Sequence, residues 1–451
     1  MTTVLAFLVT LGVLVVIHEY GHYWAAKACG VKVLRFSVGF GRVLWSRRLG
    51  ADQTEFVVSA IPLGGYVRML DEREGAVDPS QAHRAFNRKR LWQRAFVVSA
   101  GPAANLLLAV LLYSAVQWAG VQEPKAILSA PPVDTAAARA GLKSGDWVKA
   151  WSADGMDWQD VRSMVDLRWQ AMDAMLEGRP LHLMVSDHQG RGSRVLRLDT
   201  RGPGVPNVGP QALRDLGLGA PWTSPVLGEL KSGGPAERAG LRPGDLVTLV
   251  DGRVISDAQT LREMIRERAE RPMSWTVDRA GSSVVVTVVP RAERSGGGTM
   301  GRIDAFVGTP PQTVLVSMGP VEGLIEGLNK TWEVSALTVT MIGRMIIGEA
   351  SIKNLSGPLT IADFAGQSAE KGWTSYIAFL ALVSVSLGVL NLLPLPMLDG
   401  GHLMYYFFEW VTGRPVPDVW LERLHRGGVA ILFALMSVAL FNDVARLVGF
   451  H

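Results

Sequence analysis

The residues best suited to chemistry are His18, Glu19 and His22, which form His-Glu-x-x-His inside an apolar run over residues 4–24. On a helix, positions four apart share one face about one turn apart. Both imidazoles can therefore hold one zinc ion while the neighbouring Glu19 reaches an attacking water. A lone histidine on an apolar face is ordinarily a satisfied core residue, and a glutamate there can extend its carboxylate toward water. Three ionisable groups in one apolar segment are another matter. Each costs roughly 2.5–3.5 kcal/mol at membrane depth, so they need a shared ligand or a water-filled cavity.

Two histidines leave such a site one ligand short, because a hydrolytic zinc takes three protein ligands and keeps one position open. The sequence offers Asp399, within Asn391-Leu392-Leu393-Pro394-Leu395-Pro396-Met397-Leu398-Asp399-Gly400-Gly401-His402, where two prolines and two glycines break an apolar helix. His402 is the alternative third ligand. The single cysteine, Cys29, excludes an intrachain disulfide and a cysteine-based zinc site.

Apolar helices must position both motifs. Hydrophobic residues make up 48% of the 451 and mean hydropathy is +0.20, high for a soluble protein. The apolar residues cluster at 4–24, about 95–118, about 376–395 and about 428–448, each close to the roughly 20 residues a helix needs to span a bilayer. Four spans are expected. Residues 1–28 lack a basic leader and carry the motif where a signal peptide is uniformly apolar, so they are expected to be retained. The net charge of +4 comes with basic residues gathered around 27–48 and 84–94, without aromatic interleaving. That is a topology signal and not a nucleic-acid surface. It places 29–94 on the cytoplasmic side and both termini outside, with spans one and three running in the same direction. His18, His22 and Asp399 then fall at similar depth.

Between the first two spans, residues 31–70 alternate apolar and polar with glycine punctuation, which predicts strands and hairpins. Such an element is either a small cytoplasmic sheet or a sheet edge that pairs with an extended substrate beside the site. Farther on, Ala140-Gly141-Leu142-Lys143-Ser144-Gly145-Asp146-Trp147-Val148 recurs as Ala239-Gly240-Leu241-Arg242-Pro243-Gly244-Asp245-Leu246-Val247, 99 residues later. The spacing means two domain-sized copies. The repeated phrase resembles PDZ domains of the circularly permuted, protease-associated kind, which bind peptides as an added strand or act as steric plugs. Residues 291–301 read as a flexible linker by composition. Residues 319–350 read as an interfacial amphipathic helix, since Glu322, Glu326, Lys330, Glu333, Arg344 and Glu349 oppose a fifth span.

Taken in order, H-E-x-x-H, Gly101-Pro102-Ala103-Ala104-Asn105, the repeat pair and N-x-x-P-x-P-x-L-D-G-G-H resemble the site-two protease family of intramembrane zinc metalloproteases. Within it they are most similar to the bacterial regulators of sigma-E, over essentially the whole chain. The resemblance implies a polytopic α-helical membrane protein with four transmembrane helices, a membrane-associated β hairpin and two extracytoplasmic PDZ domains. It divides the chain into helix 1 (1–28), a cytoplasmic-side loop with a reentrant hairpin (29–94), helix 2 (95–118), PDZ units at 121–220 and 221–292, and a linker with interfacial helices (293–375). Helix 3 (376–398), a cytoplasmic-side loop (399–427) and helix 4 (428–448) complete it. It further implies Zn2+ held by His18, His22 and Asp399, Glu19 as catalytic base, and Asn391 near substrate or oxyanion. The enzyme would lie in the bacterial inner membrane among lipid, with periplasmic termini. Its substrate would be a single-pass membrane protein, such as an anti-sigma factor already trimmed in the periplasm, or a signal-peptide remnant. A non-enzymatic PDZ scaffold would leave the intramembrane motif without purpose, and an anchored soluble-type zincin would place it outside the spans.

Overall fold

The computed structural model describes residues 2–200, 210–295, 298–348 and 357–448. Residues 201–209 of the first expected PDZ unit, 296–297 of the expected linker and 349–356 beyond it lie outside the described residues, as do 1 and 449–451. The chain divides into two compact units, Met1–Val121 with Ser317–His451, and Gln122–Val316.

In the first unit, α1 (Thr2–Ala28) is an unbroken apolar helix whose last turn carries Lys27, a cation suited to a helix C-terminus. Ala6, Thr10, Leu14, His18, His22 and Ala26 form one buried stripe at four-residue spacing, while Leu5 and Val9 on other faces are exposed. The alternating stretch forms β1 (Val33–Leu49) and β2 (Thr54–Met69). Residues 33–38 of β1 pair with 65–69 of β2 on one side and with 55–58 on the other, so the hairpin curls over itself. Its turn is tied down by Asp52, which pairs with Lys27 and, at 2.7 Å, with Arg84. Those two cations hold its carboxyl below the usual range against the opposing effect of burial. Then α2 (Leu91–Ala119) returns antiparallel along α1, meeting His22 near Val97 and His18 near Asn105.

The second unit turns the sequence repeat into a structural one. After β3 (Val121–Pro124), the first copy runs α3 (Ala136–Arg139), β4 (Trp147–Ser152), β5 (Gln159–Asp160), α4 (Met164–Glu177), β6 (Leu181–Ser186), β7 (Arg194–Leu198) and α5 (Pro210–Leu216). The second begins with β8 (Leu227–Leu230), then α6 (Pro235–Arg238), β9 (Leu246–Val250), β10 (Arg253–Val254), α7 (Ala258–Glu267), β11 (Met273–Arg279) and β12 (Ser282–Val288). Their sheets have matching orders, β5-β4-β6-β7 and β10-β9-β11-β12. The repeated Gly-Asp also has one explanation in both. Asp146 accepts from Lys143 N at 2.7 Å and Arg194 at 2.5 Å, and Asp245 accepts from Arg242 N at 2.9 Å and Arg279 at 2.7 Å. Each buried carboxylate thus closes its turn and captures an arginine from a strand.

The flexible linker expected at 291–301 is instead a hairpin of β13 (Arg291–Ser295) and β14 (Gly298–Arg302), paired from Arg291↔Arg302 to Ser295↔Gly298. Composition marked the glycines and hid the paired strands on either side of them. Beyond it, β15 (Ala305–Val307) pairs with β8, and β16 (Thr313–Val316) with β3. The unit therefore runs past the boundary expected at 292, closed by strands that return from late in the chain.

The first unit resumes with α8 (Pro320–Ile346), α9 (Pro358–Glu370), α10 (Trp373–Asn391), α11 (Asp399–Thr412) and α12 (Asp418–Val448). Expected as an interfacial amphipathic helix, α8 runs along α2. Trp118 Nε1 donates to Pro320 O at 3.0 Å, Gly323 lies on the Trp118 ring, and Gly327 lies on Ser114 and the Val110 carbonyl. In turn α10 packs on α2 through Ala109, Tyr113, Ala381, Val385 and Val389. The expected loop 399–427 is largely helical, as α11 and the start of α12. Asp443 of α12 accepts from the backbone N–H groups of Gly357, Leu359 and Thr360 at 3.0, 2.9 and 3.2 Å, capping α9 from another helix. Among the described residues, four helices are long and apolar enough to cross a membrane: α1, α2, α10 and, over Val419–Val444, α12.

Candidate metal and catalytic centre

His18 and His22 lie on the buried stripe of α1, one turn apart, with their Nε2 atoms 3.2 Å from each other. Asp399 is the first residue of α11, and its Oδ2 lies 3.2 Å from His18 Nε2 and 3.5 Å from His22 Nε2. The last two residues of α10's exit, Leu392 and Leu393, and Leu395 after them, crowd the backbone that follows the aspartate. A Cβ on Gly400 would sit 2.2 Å from Leu393 O, and one on Gly401 2.3 Å from Leu395 O. The Asp-Gly-Gly sequence is thus what lets the chain fold back and present Asp399 to α1.

The donor set fits a zinc ion. Two imidazole nitrogens and one carboxylate oxygen fall within 4.8 Å of one another, the composition of a three-ligand hydrolytic site with an open position. His22 Nδ1 donates to Val97 O at 2.9 Å, the outward hydrogen bond that leaves the inward Nε2 lone pair free for a metal. Room for both rings comes from Gly101 of α2, where a Cβ would lie 2.3 Å from His22 Nε2 and 2.9 Å from His18 Cε1.

Glu19 flanks this cluster and is met by β2. The Val67 backbone faces its carboxylate, and a Cβ on Gly65 would come within 2.9 Å of its Cγ. All four groups line a cavity of about 860 Å³ that continues past Tyr66, Asp71, Arg94, His402 and Tyr406. At its loop side, burial disfavours the Asp71 carboxylate, but Arg73 prevails and holds that carboxyl below the usual range. Arg94 reaches Glu409 at 2.5 Å and lies over the Tyr406 ring, 5.0 Å from its centroid, joining α2 to α11. A polar cavity reaching an otherwise apolar helix supplies what hydrolysis there needs, access for water.

Of the residues singled out in the sequence, His18, Glu19, His22 and Asp399 come together. His402 lines the cavity facing His425, with ring centroids 6.3 Å apart, and is outside the ligand cluster among the described residues. Asn391 ends α10 and does not line the cavity. Sequence reasoning missed Asn105 as the neighbour of His18, at 3.2 Å, although a buried amide in an apolar span was a signal in itself.

The profile described as "Peptidase family M50" matches residues 6–435. The chain belongs to peptidase family M50. Among the relatives of this M50 peptidase, the "Regulator of sigma-E protease RseP" of Escherichia coli K12 is 37% identical over 456 residues, covering 98% of each chain. A Yersinia pestis protein named "Protease RseP" is 37% identical over 455 residues, again 98% of each. A Ralstonia nicotianae protein provisionally named a zinc metalloprotease is 42% identical over 467 residues and 100% of both chains. A solved HtrA-type protease with a tripeptide, 15% identical over 41% of this chain and 70% of that one, has a TM-score of 0.14 and carries no argument. The M50 peptidase described here is accordingly a zinc-dependent metalloprotease with helices fit to span a membrane.

Proposed function

We propose that this M50 peptidase cuts transmembrane segments of single-pass membrane proteins, with His18, His22 and Asp399 as zinc ligands and Glu19 as general base. The convergence of three ligand atoms on an apolar helix, beside a glutamate and a polar cavity, carries the proposal. Bound zinc supplies Lewis acidity to the site. Glu19 takes a proton from the attacking water and returns it to the leaving amine. A transmembrane helix hides its amides in internal hydrogen bonds, so the substrate must be held extended to be cut. The edge formed by residues 65–69 of β2 suits that task. It pairs with β1 on one side and brings Val67 to Glu19 on the other, so a substrate strand added there would lie next to the base. Asn391, at the end of α10, is proposed to serve substrate or oxyanion.

The name of the Escherichia coli relative concerns sigma-E regulation, and we extend that to the substrate here: an anti-sigma factor trimmed outside the membrane beforehand, in the bacterial inner membrane with both termini periplasmic. The second unit, a pair of PDZ-like folds, would filter substrates by size. Glu19→Gln tests the chemistry. The variant should retain zinc and lose peptide-bond cleavage by roughly 10²-fold or more, read from metal content and cleavage of a reconstituted single-pass substrate. Cleavage near the parent rate would remove Glu19 from its role.

A further inference from the structure

Each zinc-facing imidazole has a second nitrogen to account for. For His22 it is the Nδ1–H donated to Val97 O. For His18, Nδ1 lies 3.2 Å from the side-chain nitrogen of Asn105, a residue wholly buried in α2. The other end of that carboxamide, Oδ1, is buried and has no hydrogen-bond partner among the described residues. A neutral imidazole that offers Nε2 to a metal carries its proton on Nδ1, so an amide nitrogen facing Nδ1 would set two donors against each other. A half-turn of the carboxamide exchanges its ends within the same volume and sets an acceptor, Oδ1, against the Nδ1–H, leaving the amide nitrogen as the end without a partner among the described residues.

We propose that Asn105 is a positioning residue for the metal site: its Oδ1 accepts the Nδ1–H of His18 and holds that ring in the tautomer and plane that leave Nε2 free for zinc. The backbone is braced for this, because the Asn105 carbonyl accepts from Ser384 Oγ at 2.7 Å and so fixes the residue against α10. Asn105 thus lies where α1, α2 and α10 meet, with its carboxamide turned to His18. The inference rests on zinc ligation by His18.

The test compares zinc loss to a chelator from the purified full-length protein with that from Asn105→Leu and Asn105→Asp, beside His22→Phe. Partners of this outer kind are worth roughly 10–100-fold in metal affinity. Asn105→Leu should lose zinc that much more readily, and Asn105→Asp, which keeps an acceptor, should stay within a few-fold of the parent. Parent-like retention in Asn105→Leu, or equal loss in both Asn105 variants, overturns the proposal. Retention by His22→Phe overturns the ligand assignment itself, a different failure. A measurement on the unsubstituted chain does not depend on how the variants fold: with 15N-labelled histidine and zinc bound, His18 Nδ1 should carry a hydrogen-bonded proton. An Nδ1 without a proton overturns the proposal.

Discussion

At the residue scale, the site is a problem of placing charge where water is scarce. Asp399 contributes the single carboxylate to the cluster of proposed ligands, so Asp399→Asn replaces it with a neutral amide of poor affinity for zinc. We expect zinc content and proteolysis to fall together, by more than the roughly 10–100-fold that outer partners are worth. Full zinc occupancy in purified Asp399→Asn would move the third ligand elsewhere, with His402 next in reach of the cavity. Asp245 allows a prediction about pH. The Arg279 guanidinium holds its carboxyl below the usual range, with burial opposing. A lowered native value means that the unfolded chain takes up the proton first as pH falls. The stabilisation is complete above about pH 4, the unperturbed value, and is lost as pH drops through the native one. Hydrogen exchange of the β9 amides should accelerate over that acid window. In Asp245→Asn the acid-dependent part should disappear, with about 1.5–3 kcal/mol lost already at neutral pH. Exchange that is equally acid-sensitive in both proteins would assign the effect to another carboxylate.

Among the elements, α11 brings Asp399 to the histidines and is joined to α2 farther along by an ion pair. Arg94 and Glu409 form a mostly buried ion pair between α2 and α11, so removing one partner strands the other. Arg94→Met or Glu409→Leu alone should destabilise by roughly 3–5 kcal/mol, whereas the double substitution should recover much of that, seen as a positive coupling in thermal unfolding. Additive losses would mean that the pair does not act as a unit. What was legible in the sequence follows the same division. His18, His22 and Glu19 declare themselves through spacing on one helix, and Asp399 through the breakers around it, because those signals are local. The neighbours of these residues are not local. Val97 and Asn105 meet the histidines from 75 and 87 positions away, and Val67 meets Glu19 only because β2 curls back on β1. The misread elements share a cause. Glycine and proline punctuation made 291–301 and 399–427 look like linker and loop, and it concealed the paired strands and aromatic helix between the breaks.

For the whole molecule, the second unit is inserted between α2 and α8 and is tethered at both ends. If it filters by size, replacing Gln122–Val316 with a flexible linker should leave zinc binding intact and permit cleavage of untrimmed substrates that the full chain ignores. A truncated protein that binds zinc and cuts trimmed substrate, yet still rejects the untrimmed form, defeats the filter. One that binds zinc and cuts neither form makes the unit a recruiting module. The cap on α9 reaches beyond the finished fold to the order in which it is made. A helix usually carries its own capping residue, so its first turn is complete as soon as it is synthesised. Here the acceptor for Thr360 N is translated 83 residues later, in α12, the last of the described helices long and apolar enough to cross a membrane. The first turn of α9 therefore gains this acceptor only once α12 has been made.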